Sequence, residues 1–289
     1  MSTLSKAVIT DDDFQKFREY FYRKTGIHFD DTKRYFVDKR LQERIEQTDS
    51  ADFRDYFVML RFQAQGDELQ KLINIMTVNE TYFFREEYHF ACMVKAMLPE
   101  LVKRKAPGEP IRIWSVPCSS GEEPYSIAIY LQEYWPDIAQ YDVEIFASDI
   151  DTTILDQARR GQFSRRSVQN LPPPLLEKYF TPAQGGQHFD LKDDLRGCID
   201  FARVNVTEAS DTRRFRKVDL IFCRNLLIYF DDHSRRLAAE AFYDAMSPGG
   251  FICLGHSESM SRISGLFKVR KFTDAIVYQK PLTGEKVQS

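Results

Sequence analysis

The sequence predicts an α/β fold with a mainly parallel sheet, preceded by an all-helical N-terminal domain and interrupted by a small antiparallel β-subdomain. Helical periodicity alone runs through the first part of the chain. From residue 111 onward, apolar runs of strand type alternate with helical patterns, as in doubly wound folds. A run of three prolines at 172–174 breaks that rhythm. We therefore expect domains at 1–85 and 86–289, with the β-subdomain at about 178–204.

Composition excludes several classes of protein. The chain has 289 residues, of which 43% are hydrophobic, enough for a full α/β core and a small second domain. A net charge of -3 argues against a nucleic-acid binder. The five scattered cysteines are typical of buried thiols in a reducing compartment, and the five histidines show no metal spacing. From the histidine spacing we expect no metal site. No apolar stretch is suited to membrane insertion, so we expect a cytoplasmic protein.

The N-terminal domain is predicted from its helix boundaries. Thr10 to Asp13 resembles a capping box, and the helix that it opens ends at Gly26. A second helix opens after Asp30 and Asp31, and two more are predicted at 52–59 and 67–76.

The second helix carries a stripe of cations. Lys33, Arg40 and Arg44 are separated by seven and four residues, so they fall on one side of that helix. Such a stripe could dock an acidic partner. A solvated face is the equally weighted alternative, because acidic residues keep the helix from being basic overall.

The centre of the predicted sheet is a strand, a tight turn and a helix over 111–129. The strand ends at Val116, and the turn around Gly121 directs backbone N–H groups and a helix N-terminus at one point. A nucleotide-like cofactor should lie there. The next strand, 143–149, ends in Asp149, a candidate acceptor for ribose hydroxyls. Alternatively, Asp149 or Asp151 only caps the helix that starts near Thr152.

The remaining pattern completes the sheet. We expect short antiparallel strands near Phe180, at 188–191 and at 199–204, and a buried strand at 218–225 that ends in polar residues. A helix at 232–246, a strand at 251–256 and a hairpin of 267–272 with 275–280 follow. The segment 78–86 could close the cofactor cleft, although a helix end packing aromatic side chains would look the same.

Three segments together carry a resemblance to a known family. They are Asn79-x-Thr81-x-Phe83-Phe84-Arg85-Glu86, the turn 119–126, and Ile221-Phe222-Cys223-Arg224-Asn225 continuing into Ile228-Tyr229-Phe230. Nearly the whole chain resembles the chemotaxis receptor methyltransferases, the CheR family. This implies a Rossmann-like class I methyltransferase fold and an S-adenosylmethionine-dependent enzyme, with S-adenosylhomocysteine as product. The implied reaction esterifies glutamate side chains on the cytoplasmic coiled coils of chemoreceptors.

The resemblance also implies roles for single residues. The cofactor contacts would be Asn79, Thr81, Arg85, one of Glu122 and Glu123 (Glu123 is chosen), Asp149, Asn205, Val206, Arg224 and Asn225. Tyr229 would lie beside the transferred methyl, and Arg85 is the second candidate catalytic residue. The helical domain, with Lys33, Arg40 and Arg44, would dock the receptor. A receptor-tail peptide could bind the β-subdomain, whose loop is shorter here than in some members, and we expect a monomer.

The implied chemistry agrees with the residues present. A glutamate carboxylate is ionised at neutral pH, so it can attack a sulfonium methyl without a general base. Two alternatives stay open at this point. One is a related methyltransferase acting on another protein or a small molecule, and the other is a cofactor-sensing interaction module without turnover.

Overall fold

The computed structural model describes residues 8–62 and 66–285, which form two compact units. The first unit contains the described residues up to Val78 together with Tyr229–Ser234. The second contains Asn79–Ile228 and the described residues from Arg235 onward. Residues 79–85, which the sequence analysis assigned to the helical domain, therefore belong to the second unit.

The first unit is helical, as predicted. Thr10 caps the first helix in a capping box with Asp13, and Gly26, with a φ of 75°, ends it in the left-handed conformation. Its helices are α1 (Asp11–Thr25), a 3₁₀ turn (Asp31–Lys33), α2 (Arg34–Gln47), α3 (Phe53–Phe62) and α4 (Asp67–Met76). The segment 229–234 joins this unit through the backbone: the amide of His28 donates to the carbonyl of Tyr229 at 2.9 Å.

The second unit is built on a seven-stranded sheet. Its strands in chain order are β1 (Ile111–Ser115), β2 (Val143–Asp149), β6 (Ile199–Arg203), β7 (Val218–Cys223), β8 (Met246–Leu254), β9 (Lys268–Lys271) and β10 (Ile276–Gln279). The strands β3 (Gln162–Ser164), β4 (Phe180–Ala183) and β5 (His188–Leu191) form a separate sheet. The spatial order is β6-β2-β1-β7-β8-β10-β9. The five strands β6, β2, β1, β7 and β8 pair in parallel, whereas β10 is antiparallel to both of its neighbours. This confirms the mainly parallel, Rossmann-like sheet with an antiparallel edge.

Helices connect these strands. A continuous helical stretch precedes β1 and is made of α5 (Tyr88–Cys92), a π segment (Met93–Met97) and α6 (Leu98–Val102). The other helices are α7 (Glu122–Tyr134), α8 (Thr152–Arg160), α9 (Pro173–Tyr179), α10 (Asp193–Arg196), α11 (Ala209–Thr212) and α12 (Asp232–Ala245). Buried apolar side chains of β1, β2, β7 and α7 form one core. In the two described ranges, no helix is long and apolar enough to span a membrane.

The small antiparallel sheet exists, but with different strands from those expected. Its order is β3 (Gln162–Ser164), β5 (His188–Leu191) and β4 (Phe180–Ala183). The prediction that 199–204 belongs to this insertion was wrong, because β6 pairs in parallel with β2 from Ile145–Ile199 to Asp149–Arg203. Both kinds of strand are half-exposed, so their alternating patterns look alike in the sequence.

Candidate active site

The candidate site lies at the carboxyl edge of the parallel sheet. Ser115, the last residue of β1, is in register with Ala147 of β2 on one side and Phe222 of β7 on the other. The chain passes from β1 to β2 and reaches β7 only after β6, so the strand order reverses beside β1. Such a reversal opens a crevice for a ligand in doubly wound sheets.

Gly121 shapes the turn that leads from β1 into α7. It is the N-cap of α7 with a φ of 98°, a conformation that favours glycine. A Cβ at this position would lie 3.0 Å from the Tyr125 ring and 3.1 Å from the Ala158 Cβ. The turn can therefore pack closely against α8 only without a side chain.

Asp149 holds this turn from the end of β2. Its buried carboxylate accepts hydrogen bonds from the Ser119 amide at 2.9 Å and the Asp151 amide at 3.1 Å. Burial raises the pKa of Asp149 to about 6, against the lowering effect of those amides. Asp151 caps α8 by accepting from the Ile154 amide at 3.0 Å, and it also accepts from Asn79 Nδ2 at 2.8 Å. The capping role that the sequence left open thus belongs to Asp151.

Backbone strain is concentrated around this edge. Phe84, Glu86, Ser119 and Asn225 all have positive φ, between 47° and 61°, although none is a glycine. The Ser119 hydroxyl is buried and has no hydrogen-bond partner. Such conformations cost free energy and are typical of ligand sites, and a buried hydroxyl without a partner suits a polar ligand.

Arg224 and Glu123 form a buried ion pair between β7 and α7. Arg224 Nε donates to Glu123 Oε2, and the other oxygen of Glu123 accepts from Ser115 Oγ at 2.7 Å. Arg224 Nη1 also donates to the carbonyl of Arg85, which ties segment 79–86 to the end of β7. Both side chains are less than a tenth exposed. Arg224 and Glu123 therefore hold the two loops in place.

Glu122 points elsewhere. Its carboxylate accepts from Ser120 Oγ at 2.6 Å and from Ser167 Oγ, and burial raises its pKa. Glu122 is thus engaged with the 164–168 loop, whereas Glu123 faces β1 and β7. Glu123 is therefore the member of the pair nearer to the strand ends, and its predicted contact with the cofactor stays a prediction.

Glu86 is the centre of a second cluster of charges. Its carboxylate lies 3.8 Å from Arg224 Nη1, 3.2 Å from His256 Nδ1 and 3.6 Å from the buried His89 Nδ1. Burial opposes ionisation of Glu86, but Arg224 and His256 hold its pKa below the usual range. Burial, with Arg224, lowers the pKa of His89 to about 4, so His89 is neutral near pH 7.

The other predicted cofactor contacts lie in the same unit. Arg85 is half-buried and donates to the Glu80 carbonyl at 2.8 Å, and Thr81 is half-buried in the same segment. Asn205 and Val206 are buried just beyond β6, where Asn205 Oδ1 accepts from Thr207 Oγ1 at 2.8 Å. Tyr229 belongs to the first unit.

Glu258 is a partly buried residue at this edge that the sequence analysis missed. It follows β8 and accepts hydrogen bonds from three backbone amides, those of Asn225 at 2.8 Å, Leu227 at 2.7 Å and Gly255 at 2.9 Å. Its one available signal was its position after an apolar strand, three residues past Gly255.

The donor set fits a cationic nucleoside cofactor. Several carboxylates lie at this edge, among them Glu86, Glu123, Asp149, Asp151 and Glu258, alongside the guanidinium groups of Arg85 and Arg224. An acidic edge favours a sulfonium and an ammonium group over a phosphate. Asp149, at the end of the second strand, can accept from ribose hydroxyls, and the Ser119 hydroxyl is available to a polar ligand.

The three cations of the predicted stripe differ in their surroundings, and Lys33 lies in the 3₁₀ turn before α2 and not in α2 itself. Lys33 is exposed. Arg40 is half-buried, donates to the carbonyl of Ile75, and stacks with its guanidinium carbon 3.5 Å from the centre of the Phe36 ring. Arg44 is buried and forms two bonds to Glu68, at 2.8 and 2.6 Å. The expectation of a continuous surface stripe was therefore wrong: tertiary partners on α4 and at its end take up two of its three members.

Comparisons with known proteins agree with this geometry. The family model described as "CheR methyltransferase, SAM binding domain" matches residues 79–276, and "CheR methyltransferase, all-alpha domain" matches residues 12–77. "Chemotaxis protein methyltransferase 2" of Vibrio cholerae is 55% identical over 282 residues, which cover 98% of this chain and 97% of that protein. "Chemotaxis protein methyltransferase" of Escherichia coli is 34% identical and covers 92% of this chain and 90% of that protein.

Proposed function

Because the chain belongs to the CheR methyltransferase family, we propose that it methylates glutamate side chains of chemoreceptors in chemotaxis adaptation, with S-adenosylmethionine as cofactor. The chain is an S-adenosylmethionine-dependent methyltransferase, and we propose that its product is a glutamate methyl ester on the receptor. One observation carries it: residues 79–276, which match the SAM binding domain, include all those that build the acidic carboxyl edge around β1, with its left-handed backbone at Phe84, Glu86, Ser119 and Asn225.

The residues of this edge suit transfer to a carboxylate. The cofactor supplies an electrophilic methyl group on a positively charged sulfur. A glutamate substrate is already ionised at neutral pH, so the chain needs no general base, only alignment of oxygen and methyl and exclusion of water. Burial raises the pKa of Cys118 and Cys223 well above the usual value, so these thiols stay protonated and do not compete as nucleophiles.

Within this proposal the site residues divide their work. Asp149 accepts from the ribose hydroxyls, and Glu123 with Arg224 holds the ends of β1 and β7. Arg85 positions the cofactor or the incoming carboxylate, and Tyr229, four residues beyond Asn225, lies beside the transferred methyl. Asn79, Thr81, Asn205, Val206 and Asn225 complete the cofactor contacts.

We also propose how the receptor is held. The helical unit docks the acidic coiled coil, and of the three cations Lys33 is the exposed one. A receptor-tail peptide could add to an edge of the three-stranded sheet, but Pro182 has no N–H to donate and weakens β4 as a template for strand addition. We propose that the protein acts in the cytoplasm, where the receptor glutamates lie, and that it is a monomer.

A transfer assay tests the proposal. The protein is incubated with S-adenosylmethionine carrying a labelled methyl group and with cytoplasmic domains of chemoreceptors. We expect label on the receptor that is released as volatile methanol in mild base, because glutamate esters hydrolyse there while N-methyl groups do not. Receptor domains with the methylated glutamates changed to alanine are the matched substrate control.

Two variants make the assay specific. Tyr229→Phe keeps the ring and removes only the hydroxyl, so turnover should fall while cofactor affinity stays near that of the wild type. Removal of residues 1–75 should abolish receptor methylation. Normal turnover of that truncated chain on a small molecule would instead favour the alternative substrate class, and cofactor binding without any transfer would favour a sensing module.

A further inference from the structure

We propose that Glu258 is a positioning residue that fixes the loop after β7 in its cofactor-binding conformation. The inference rests on the proposed function for its link to methyl transfer. Glu258 is neither in the three segments that resemble the family nor among the residues expected to contact the cofactor. It acts through backbone groups rather than through the reacting atoms.

The hydrogen bonds of Glu258 span two neighbouring strands. Oε2 accepts from the Asn225 amide at 2.8 Å and the Gly255 amide at 2.9 Å, so one oxygen joins the end of β7 to the end of β8. Oε1 accepts from the Leu227 amide at 2.7 Å. The turn after β7 is held on its other side by Arg235, whose Nε donates to the Leu227 carbonyl at 3.0 Å.

This anchor fixes the loop in one of its accessible conformations. Asn225 has a φ of 61°, in the left-handed region that asparagine tolerates better than most residues, and the bond to Glu258 holds its backbone there. Hydrogen bonds from backbone amides to a charged acceptor are among the stronger ones. Because Asn225 follows Arg224 directly, the same bonds set the direction in which both side chains leave the sheet.

Gly255 supports the same conclusion from the opposite strand. A Cβ on Gly255 would lie 2.9 Å from Glu258 Oε2 and 3.0 Å from the Asn225 amide nitrogen. A side chain there would push the carboxylate and the loop apart. The close approach of β7 and β8 at this edge therefore depends on a glycine that faces the anchoring carboxylate.

The test compares two carboxylates at opposite ends of β7. Glu258→Gln leaves the side-chain length unchanged but removes the charge and replaces one of the two acceptor oxygens with an NH₂ group, which cannot accept from the amides that faced it. The matched control is Asp219→Asn at the amino end of β7, where a buried carboxylate accepts from the Arg112 amide at 2.9 Å and pairs with Lys105 at 2.7 Å. Both changes remove one partly or fully buried charge, but only Glu258 touches the carboxyl edge.

The first readout is hydrogen exchange of the cofactor-free protein. In Glu258→Gln, whichever of the Asn225, Leu227 and Gly255 amides face the new NH₂ group should exchange at least tenfold faster, while the amides in β2 and α7 keep their protection. Asp219→Asn should leave the three amides unchanged. Gly255→Ala, which keeps the carboxylate but forces it away, should reproduce the faster exchange.

The second readout is affinity and turnover. Glu258→Gln should weaken binding of S-adenosylhomocysteine at least tenfold and lower kcat for receptor methylation, with an unchanged KM for receptor. Unchanged exchange of the three amides, or an affinity within twofold of that of Asp219→Asn, would overturn the proposal. If the wild type methylates no receptor, the proposed function fails, but exchange and cofactor affinity still decide the role of Glu258.

Discussion

Each unit buries an arginine against a glutamate, Arg44 against Glu68 in the first and Arg224 against Glu123 in the second, and the two pairs differ in what surrounds them. Arg44 donates hydrogen bonds from Nε and Nη2 to the carboxylate of Glu68, and Tyr56 donates to the same carboxylate at 3.0 Å. This cluster lies among regular helices. Arg224 bonds to Glu123 and to the Arg85 carbonyl, between two loops that hold left-handed residues at Glu86 and Asn225. The Arg44–Glu68 pair stabilises the packing of helices, whereas the Arg224–Glu123 pair holds the loops that lie at the candidate cofactor site.

The largest expected effect comes from breaking the Arg44–Glu68 pair. Arg44→Met leaves the Glu68 carboxylate buried without its cation, which typically costs about 3–5 kcal/mol of stability. Urea unfolding should show this loss, while calorimetry should show unchanged affinity of the native protein for S-adenosylhomocysteine. The double variant Arg44→Met with Glu68→Leu should recover most of the stability. A lower cofactor affinity in the single variant would contradict the structural role of Arg44.

A smaller effect on stability but a larger one on binding is expected at the second pair. Arg224→Lys keeps the charge but loses the planar fork that reaches both Glu123 and the Arg85 carbonyl. We expect cofactor affinity to fall by roughly 30-fold or more, about 2 kcal/mol. Arg44→Lys is the matched control and should leave that affinity unchanged. Equal affinities for the two lysine variants would remove the distinction between the pairs.

The same contrast shows which features the sequence could predict. The sequence placed Asp149, Arg224 and Asn225 at this edge because they end or directly follow strands, and the carboxyl ends of parallel strands meet at one edge whatever the loops do. Arg44 was misassigned because helical spacing shows which side chains share a face, not that Glu68 on α4 covers that face. Glu258 lies in a loop without periodicity, and its partners are backbone amides, which leave no trace in the sequence.

The placement of β6 was missed for a related physical reason. An edge strand of the large sheet and a strand of a small sheet are both half-exposed, so Ile199–Arg203 showed the same alternation as β5. Which sheet it joins depends on pairing with β2 more than fifty residues earlier, from Ile145 to Asp149. The helices of the first unit and the parallel core of the second depend on local signals and were predicted correctly.

A third test uses the raised pKa of Asp149. Its pKa of about 6 in the folded protein lies above the ordinary value of 3.8, so the carboxylate is largely protonated at pH 5 and ionised at pH 7. An ionised carboxylate is the stronger acceptor for ribose hydroxyls. Cofactor affinity should therefore fall about tenfold between pH 7 and pH 5, roughly 1.4 kcal/mol.

The sign of the stability effect is opposite. The folded protein binds the Asp149 proton more tightly than the unfolded chain does, so this group's stabilising contribution is present below about pH 4 and is lost as pH rises through about 6. Asp149→Asn cannot titrate, and its cofactor affinity should stay flat over the same range. A wild-type affinity without a step near pH 6, or a step that persists in Asp149→Asn, would assign the pH dependence to another group.

The smallest expected effect concerns Lys33, the exposed cation directly before α2. Lys33 is exposed, and an acidic receptor coil would attract it over a distance that salt limits to about 8 Å at physiological ionic strength. Lys33→Glu should raise KM for receptor by a few-fold at low salt, mostly through slower association, and leave cofactor affinity unchanged. Lys103→Glu, on an exposed residue of the second unit, changes the net charge equally and should leave KM unaltered. The KM of Lys33→Glu should approach that of the wild type as salt rises. If the two reversals raise KM equally, only net charge matters and the receptor makes no specific contact with Lys33.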